Sequence, residues 1–483
     1  MKWSDRQLAI FDAYENTRKN IAIEATAGSS KTTCIVECCR RTPPNKKVLF
    51  MAFNKSIAEE LRERLPSHID VNTFHSKGLR VLLSNFRIKP KINDNKCFVV
   101  GKKILDTKDM DVKQQIRYLF EIQIIWNYIR VNLITDYEKE IPDICIEKNI
   151  EFQDRMVGDM EQIRNAWHKE MKKINSVREI NIDFTDMLYF PYQLLDSEDF
   201  PKYDIVTLDE QQDANTLQKE LALRYIKKSG RFVVVGDSRQ CIYGFQGSSL
   251  EVFKSLQSYP NTIVLPLDIT YRCGKNIVEE ARKVFNNGIV AAPNAIDGIV
   301  RKGEFDEAEN GDFILCRNNL PLATVFLYLL EMGKKATIKG KDYGDALVAL
   351  VDKIKHIEDL DAMCERKISE LKERGLTDIQ AKNNPSYVAF LEKCTILKML
   401  YKNWGNMKKL EDNIKEIYKD DTEGIVLSTI HKSKGLEADR VFLLNRNLIP
   451  SKYANTEEAL YNEKCLLFVA ITRARKELVY CNV

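Results

Sequence analysis

The sequence has no pair of cysteines at C-x-x-C spacing, although it contains 12 cysteines among 483 residues. The tightest group is Cys34, Cys38 and Cys39, and no cysteine and histidine set at metal-ligand spacing is present. Zinc fingers and zinc ribbons need such sets, so this class of structural metal site is excluded. Buried free thiols in a reducing compartment are the expected state of the cysteines.

Long apolar runs and an excess of one charge are lacking as well. No stretch approaches 18 apolar residues, and the first residues, MKWSDR, do not form the apolar segment of a signal peptide. An intracellular soluble protein with no membrane partner is therefore expected. Lys plus Arg number 74 and Asp plus Glu number 70, a formal net charge of +4. This balance argues against a uniformly basic surface, but it leaves room for a local nucleic-acid groove.

Short runs rich in Val, Ile and Leu recur between turn residues, and several are separated by helical patterns such as 56–65 and 216–227. Dense apolar runs are typical of strands covered on both faces, and their alternation with helices predicts the α/β class with parallel sheets. The length leaves room for three or four domains. The predicted strands are 21–25, 48–53, 203–208, 232–235, 263–265, 313–316, 425–428 and 441–444.

Two segments, 86–180 and 341–419, interrupt this alternation with mostly helical patterns. In 351–376, apolar residues recur every third position among many charges, which predicts one solvated helix with a narrow apolar stripe. Residues 383–386 then predict a turn, and 387–401 a second helix. Both segments are interpreted as helical insertions.

A phosphate-binding loop is predicted where strand 21–25 runs into ATAGSSKTT (25–33), because a helical pattern follows. Small residues let N–H groups wrap a phosphate, and the helix N-terminus favours negative charge. Lys31 would reach the β- and γ-phosphates and Thr32 would hold Mg²⁺. Ser30 and Ala25 stand where the motif has glycines, so a chance strand–turn–helix with a lysine remains an alternative.

A second acidic element follows the strand at 203–208, which ends in Asp209 and Glu210. In phosphate-loop NTPases an Asp at such a strand end holds Mg²⁺. A neighbouring Glu can orient and deprotonate the attacking water, which indicates hydrolysis. The alternative is a solvated acidic strand end.

The boxes that follow resemble those of UvrD/Rep/PcrA-like helicases of superfamily 1. Residues 209–213 (DEQQD) are similar to their DExQD box, and 236–247 (GDSRQCIYGFQG) to their GDxxQxIYxFxG box. Residues 52–58 resemble the compact F-box-helicase and phage-like branch more weakly. Seven or more motifs in one order form a very specific pattern. The other matching segments are 3–7, 71–76, 269–272, 428–437 and 469–475.

The resemblance implies ATP and Mg²⁺ as cofactors and gives each matched residue a role. Gln7 would contact the adenine, Tyr271 would stack on it, and Glu437 would bind the ribose. Gln240 would sense the γ-phosphate, while Arg272 and Arg473 would act as arginine fingers. The expected catalytic residues are Lys31, Asp209, Glu210, Gln240, Arg272 and Arg473. The expected loop contacts are Ala27, Gly28, Ser29, Ser30, Lys31, Thr32 and Thr33, and Thr32 and Asp209 are the expected metal ligands.

The resemblance also implies contacts with single-stranded DNA. Thr73, His75, Thr429 and His431 are candidates for the backbone, although each histidine could equally be structural. Phe53, Tyr243 and Phe245 are candidates for base stacking, with an ordinary core role as the alternative for Tyr243.

The resemblance implies two RecA-like parallel-sheet motor domains, each with a helical insertion. The first would comprise 1–85 and 181–260 with insertion 86–180; the second would comprise 261–340 and 420–483 with insertion 341–419. The expected function is an ATP-dependent helicase moving 3′ to 5′ on single-stranded DNA and acting at junctions with duplex. A protein-displacing translocase with weak unwinding, or a non-catalytic ATP-dependent clamp, remain alternatives. Replication or recombination proteins are expected partners. The expected location is the cytoplasm (the host's, for a phage protein) or a eukaryotic nucleus.

Overall fold

The computed structural model describes residues 3–148, 150–242, 250–286, 288–373, 376–419 and 423–483. The chain divides into two compact units, one formed by Met1–Thr26 with Ser30–Asp268 and the other by Ala27–Ser29 with Ile269–Val483. The strands are β1 Asn20–Ala25, β2 Val48–Ala52, β3 Ile69–Thr73, β4 Lys89–Ile92, β5 Glu179–Ile182, β6 Tyr203–Leu208, β7 Ile226–Gly236, β8 Thr262–Leu267, β9 Ile269–Thr270, β10 Val290–Ala291, β11 Ile299–Lys302, β12 Phe313–Cys316, β13 Ala336–Lys339, β14 Tyr418–Lys419, β15 Ile425–Thr429, β16 Ala438–Leu444 and β17 Ala474–Cys481.

Helices connect most of these strands. They are α1 Asp5–Asn16, α2 Lys31–Arg40, α3 Lys55–Arg64, α4 Phe74–Asn85, α5 Lys96–Ile104, α6 Val112–Asn132, α7 Tyr137–Glu147, α8 Arg155–Lys172, α9 Asp186–Leu194, α10 Thr216–Arg224, α11 Leu250–Gln257, α12 Lys275–Arg282, α13 Asn319–Glu331, α14 Lys341–Val351, α15 Asp359–Glu373, α16 Asp378–Asn383, α17 Pro385–Trp404, α18 Met407–Ile417 and α19 Glu457–Ile471. Within the described ranges, no helix combines the length and apolar character that crossing a bilayer requires.

The first unit is built on a six-stranded parallel sheet in the order β3-β2-β6-β7-β1-β8. Its central strands are buried along most of their length; in β2, for example, all five residues are buried. Because all strands run the same way, the loops after β1 and β6 leave the sheet at the same edge, on either side of β7. This edge holds the predicted phosphate loop and acidic pair.

The second unit contains a seven-stranded sheet in the order β11-β17-β16-β12-β15-β13-β14, whose neighbours are all parallel. Two parallel sheets connected by helices confirm the predicted α/β class. In the described ranges all 12 cysteines are buried and none forms a disulfide.

The strand Thr262–Leu267 pairs with β1 along its whole length, whereas the sequence assigned residues from 261 onward to the second domain. The first unit accordingly continues to Asp268. The rest of the predicted division into motor domains and insertions stays a prediction.

The single helix predicted across 351–376 is wrong. Helix α14 ends at Val351 and α15 begins at Asp359, whose Oδ2 accepts the N–H groups of Lys355 and His356 at 2.8 and 2.9 Å. These contacts run from Asp359 back to residues three and four positions earlier, so they close a turn between the two helices. The every-third-residue pattern therefore spans two helices, and Val351, Ile357 and Leu360 all face one hydrophobic core.

A buried ionic cluster joins helices α5, α6 and α8 to the start of α9. Asp186 accepts hydrogen bonds from Lys96 Nζ at 2.7 Å, Arg130 Nη1 at 2.6 Å and Trp167 Nε1 at 2.8 Å. Arg130 also contacts both carboxylate oxygens of Asp183, at 2.8 and 2.6 Å. Paired and hydrogen-bonded charges are the form in which charges are tolerated in a core. The cluster fixes the two residues that flank Phe184 and Thr185.

Candidate nucleotide site and DNA-contact residues

The loop between β1 and α2 has the left-handed backbone that a phosphate loop needs. Gly28 has φ +69° and Ser30, directly before α2, has φ 61° and ψ 40°. A side chain at such a position costs about 1–2 kcal/mol, which explains why glycine is favoured there. Ser30 adopts this conformation nevertheless, so its departure from the motif does not remove the loop geometry.

Two polar contacts connect this loop to the acidic pair after β6. Lys31 Nζ lies 3.0 Å from Glu210 Oε2, and Thr32 Oγ1 donates to Asp209 Oδ2 at 3.0 Å. Glu210 also has a left-handed backbone, with φ 49°. The structure therefore brings together four of the residues that the sequence assigned to ATP and metal binding.

The charges in this cluster shift one another's pKa values. Burial alone would lower the pKa of Lys31, but the negative charges of Glu210, Asp237 and Asp209 outweigh it and raise that pKa. Burial, followed by the charge of Glu210, raises the pKa of Asp209 to about 6. A buried carboxyl group with a raised pKa, such as that of Asp209, is characteristic of functional positions.

Two glutamines extend the cluster. Gln240 Nε2 donates to Asp237 Oδ2 at 2.7 Å. Gln212 Nε2 donates to Glu210 Oε2 at 2.5 Å, and its Oε1 accepts the N–H of Asp237 at 2.9 Å. Gln212 thus links the predicted base to the segment after β7 that contains Asp237 and Gln240. The sequence interpretation gave Gln212 no role, although its place in the DEQQD box was the available signal.

Gln7 is buried in a capping box at the start of α1. Its Oε1 accepts the N–H of Ser4 at 3.0 Å, while Ser4 Oγ accepts the N–H of Gln7 at 3.3 Å. The S-x-x-Q pattern explains why the helix begins here. A contact between Gln7 and adenine stays a prediction.

In the second unit, Arg272 and Glu437 form an ion pair through Arg272 Nε, and Arg272 Nη1 reaches the carbonyl of Thr472 at 3.3 Å. Arg473 is only 1% exposed, and it donates to the carbonyls of Val469 at 3.1 Å and Leu436 at 3.0 Å. The structure thus gives Arg473 an anchoring position beside the end of α19. Tyr271 is exposed.

The predicted DNA-contact residues fall in different environments. Thr73 caps α4 by accepting the N–H of Ser76 at 3.2 Å, and Thr429 is buried at the end of β15. Phe53 is exposed directly after β2. Tyr243 and Phe245 lie outside the described residues.

His75 stacks on Phe184, with ring centroids 3.9 Å apart and an interplanar angle of 27°. Burial lowers the pKa of His75 to about 4, and burial together with the charge of Arg317 does the same for His431. Both imidazoles are therefore neutral near pH 7. Phe184 is 54% exposed. The sequence interpretation missed Phe184 because this residue lies about a hundred positions after His75 in the chain. The only signal in the sequence was an aromatic residue between Asp183 and Asp186.

Family models of known proteins match two parts of this chain. Residues 6–260 match the UvrD/REP helicase N-terminal domain, and residues 331–482 match the UvrD-like helicase C-terminal domain. The first match alone covers more than half of the chain. The chain belongs to the UvrD/Rep helicase family. The resemblance noted in the sequence motifs is thereby confirmed.

Several relatives within the UvrD/Rep family align with most of this chain at low identity. F-box DNA helicase protein 1 of Schizosaccharomyces pombe is 24% identical over 99% of the chain, which spans 57% of that relative. ATP-dependent DNA helicase Rep of Buchnera aphidicola subsp. Acyrthosiphon pisum is 22% identical over 97% of the chain and 94% of the relative. ATP-dependent DNA helicase PcrA of Bacillus subtilis is 26% identical over 57% of the chain and 39% of the relative. The chain thus spans little more than half of some curated relatives.

Proposed function

We propose that this chain is an ATP-dependent DNA helicase that moves 3′ to 5′ along single-stranded DNA and separates duplex at junctions. The observation that carries the proposal is the pair of contacts Lys31–Glu210 and Thr32–Asp209 at one edge of a parallel sheet. They supply a cation, a hydroxyl and two carboxylates where phosphate-loop NTPases bind and hydrolyse ATP. Membership in the UvrD/Rep family, and relatives named as DNA helicases, support DNA as the substrate.

The residues present fit Mg²⁺, because a threonine hydroxyl and a carboxylate are oxygen donors of the kind this ion prefers. Thr32 and Asp209 would hold it, and the bound ion would neutralise charge on the β- and γ-phosphates. Among the described residues, no group of three or more His, Cys, Asp or Glu side chains forms a metal cluster. This fits an ion held jointly by protein, phosphate and water rather than by an all-protein cage.

Lys31 forms an ion pair with Glu210. The phosphates of ATP would replace Glu210 as the partner of Lys31. The Glu210 carboxylate, still held by the amide of Gln212, would then be available to orient and deprotonate the attacking water. ATP binding would in this way prepare the base for hydrolysis.

A similar exchange is proposed for Arg272, whose present partner is Glu437. When ATP binds, Arg272 would turn to the transferred phosphoryl group and Glu437 to the ribose. Arg473 would assist as a second arginine finger, Gln240 would respond to the γ-phosphate, and Tyr271 and Gln7 would hold the adenine. A nucleotide-dependent change of partners provides a route from hydrolysis to movement along DNA.

The stacked pair of His75 and Phe184 is the proposed base-contacting element of the first unit. Phe184 presents a ring face with 54% of its surface exposed, and the neighbouring aspartates Asp183 and Asp186 are fixed by Arg130. A rigidly held aromatic ring can stack on any base, as a motor without sequence preference requires. Because His75 is neutral near pH 7, it supports the ring or donates a hydrogen bond rather than adding a positive charge.

Replacing Phe184 by Ala should weaken binding of single-stranded DNA about tenfold, since one stacked base is worth about 1–3 kcal/mol. Fluorescence anisotropy with labelled oligonucleotides measures this. Phe152→Ala is the matched control, because Phe152 is another exposed phenylalanine of the first unit. Equal affinities of the two variants would exclude the stacking role.

The proposed function is tested by ATPase and strand-separation assays on 3′-tailed and 5′-tailed DNA duplexes, with matched RNA duplexes alongside. DNA-stimulated hydrolysis and unwinding of the 3′-tailed DNA substrate alone are expected. Preferential unwinding of the 5′-tailed DNA duplex would refute the proposed 3′-to-5′ direction of movement. Nucleotide binding without DNA-stimulated hydrolysis would instead indicate an ATP-dependent clamp.

A translocase that displaces bound proteins but unwinds weakly is the second candidate. The alignment with the Buchnera Rep protein spans 622 positions although this chain has 483 residues, so the relative carries segments that this chain lacks. The described residues of 341–419 form the five helices α14–α18 and a short strand. Displacement of a protein block from single-stranded DNA without duplex separation would favour this candidate. Replication or recombination proteins would then be the expected partners.

A further inference from the structure

A cavity of about 550 Å³ lies in the first unit at the amino-terminal edge of its parallel sheet, near the starts of β1, β2, β6 and β7. Strand β1 is six residues long, and at about 3.3 Å per residue it separates the cavity from the start of the phosphate loop by about 20 Å. The cavity is therefore distinct from the candidate nucleotide site. We call it the amino-edge cavity, and its polar lining includes Thr17, Arg18, Arg41, Lys46, Asp204 and Arg231.

Arg231 on β7 is a buried cation in the wall of this cavity. It is only 8% exposed; its Nη1 donates to the carbonyl of Thr17 at 2.6 Å, and its Nη2 donates to the carbonyl of Tyr14. These carbonyls lie at the C-terminal end of α1, which carries a partial negative charge. The two hydrogen bonds use two of the five N–H donors of a guanidinium. The side chain is thus held in place with donors left for a ligand.

The charge of Arg231 is balanced by backbone carbonyls rather than by an acid. In the ranges that the structure describes, neither Arg231 nor Arg18, an exposed residue of the same cavity, forms an ion pair with a carboxylate. Burial is the largest influence on the pKa of Arg231 and lowers it, against the smaller opposite effects of Tyr14 and Cys38. A buried charge without a countercharge is costly, and an anion in the cavity would supply one.

The two acids that line the cavity already have cationic partners. Asp204 Oδ2 accepts hydrogen bonds from the N–H of Lys47 and from Lys227 Nζ, both at 2.9 Å. Burial alone would raise the pKa of Asp204, but these contacts lower it. Glu15 Oε1 lies 3.3 Å from Arg41 Nη1. Four cationic side chains line the cavity with these two acids, so positive charge is in excess.

We propose that the amino-edge cavity binds a small organic molecule through a phosphate group. The volume of the cavity lies within the range of about 300–1,000 Å³ that is typical of small-molecule sites. The excess of positive charge in its lining matches the charge of about −1.5 to −2 that a phosphate monoester carries near pH 7. The planar guanidinium of an arginine also fits phosphate oxygens, to which it can donate two parallel hydrogen bonds.

The burial of Arg231 favours a small ligand over the backbone of a nucleic acid. With 8% of its surface exposed, Arg231 is accessible to a group that enters the cavity. The phosphates of a nucleic acid lying across the surface would instead meet the exposed side chains of Arg18 and Lys46. A phosphate group inside the cavity would contact Arg231 and Arg18 together.

Ligand-observed NMR with glycerol 2-phosphate and the full chain tests the proposal. Binding should persist when ADP and Mg²⁺ saturate the nucleotide site, and Arg18→Ala should weaken it about tenfold, as expected for the loss of one charge-assisted hydrogen bond. Lys19→Ala is the matched control, because Lys19 is the next residue, is exposed and does not line the cavity. Displacement by ADP, or equal weakening by both variants, would overturn the proposal.

Arg231→Lys tests the buried cation itself. Lysine keeps the positive charge but lacks the planar fork, so the dissociation constant of glycerol 2-phosphate should rise about fivefold or more. Thermal unfolding shows whether this variant folds, and Arg18→Ala provides the test at an exposed position if it does not. An unchanged dissociation constant in a folded Arg231→Lys variant would contradict the role of Arg231.

Two competitors distinguish the classes of ligand. Neither malonate, a dicarboxylate, nor a single-stranded oligonucleotide should displace glycerol 2-phosphate at equal concentration. Displacement by malonate would overturn phosphate as the recognised group, and displacement by the oligonucleotide would assign the cavity to the DNA backbone instead. The comparison of Arg18→Ala with Lys19→Ala does not require ADP to bind, so a failure of the cavity is distinguishable from a failure of the nucleotide site.

Discussion

Glu210→Gln is expected to leave ATP binding nearly unchanged while lowering the rate of hydrolysis about 100- to 10,000-fold. Glutamine has the shape of glutamate and can still accept a hydrogen bond from Lys31 or Gln212, which contact Glu210 Oε2 at 3.0 and 2.5 Å. It cannot take a proton from water. The variant should therefore separate nucleotide binding from chemistry.

Single-turnover hydrolysis together with equilibrium nucleotide binding measures this separation. Glu59→Gln makes the same chemical change on the exposed part of α3 and should behave as the unsubstituted chain. Hydrolysis by Glu210→Gln within about threefold of the original rate would assign the base to another group. Loss of ATP binding in parallel with hydrolysis would instead show that Glu210 acts mainly through its ion pair with Lys31.

Lys31→Ala is expected to reduce both binding and turnover, with hydrolysis falling at least about 100- to 1,000-fold, the range seen when one electrostatic contact to the transition state is removed. The side chain of Lys31 is 10% exposed and surrounded by Glu210, Asp237 and Asp209. Without this cation the carboxylates would face the phosphates of ATP directly. Like-charge repulsion should weaken nucleotide affinity in addition to slowing the reaction.

The chain offers a closely matched control in Lys55→Ala. Lys31 and Lys55 are both the first residue of a helix that follows a parallel strand, α2 after β1 and α3 after β2. Lys55 is exposed, and its Nζ lies 3.7 Å from Glu59 Oε1. Comparable ATP turnover in the two variants would show that Lys31 has no role in ATP hydrolysis. Thermal unfolding of both variants distinguishes lost chemistry from lost folding.

The proximity of the residues in the candidate nucleotide site was largely predictable from sequence because it depends on local order. A strand, a loop of small residues and Lys31–Thr32 form one continuous segment, and Asp209–Glu210 directly follow another apolar strand. Parallel strands bring such segments to one edge, so the pattern implies proximity. The left-handed backbone at Ser30 and Glu210 could not be anticipated, because neither residue type prefers it.

Several strands were not predicted because polar residues interrupt them. In β3 (Ile69–Thr73), Asp70 and Asn72 are poor strand formers, but Asp70 is bound by Lys77 Nζ at 2.6 Å and by the Tyr203 hydroxyl at 2.5 Å. Tertiary contacts thus stabilise a strand that local preference disfavours. Phe184 was missed for a related reason, since its contact with His75 joins distant parts of the chain.

The position of β1 in its sheet has a consequence for how the chain is made. This strand ends at Ala25, yet its two neighbours are β7 (Ile226–Gly236) and β8 (Thr262–Leu267). At about 5–20 residues per second, a ribosome needs on the order of 10–50 seconds to add the intervening chain. During that interval the apolar segment Asn20–Ala25 waits without either neighbour. The pairing of β1 is therefore completed only when β7 and β8 have been synthesised. Until then the nascent chain must be kept from associating with other chains through this unpaired apolar segment.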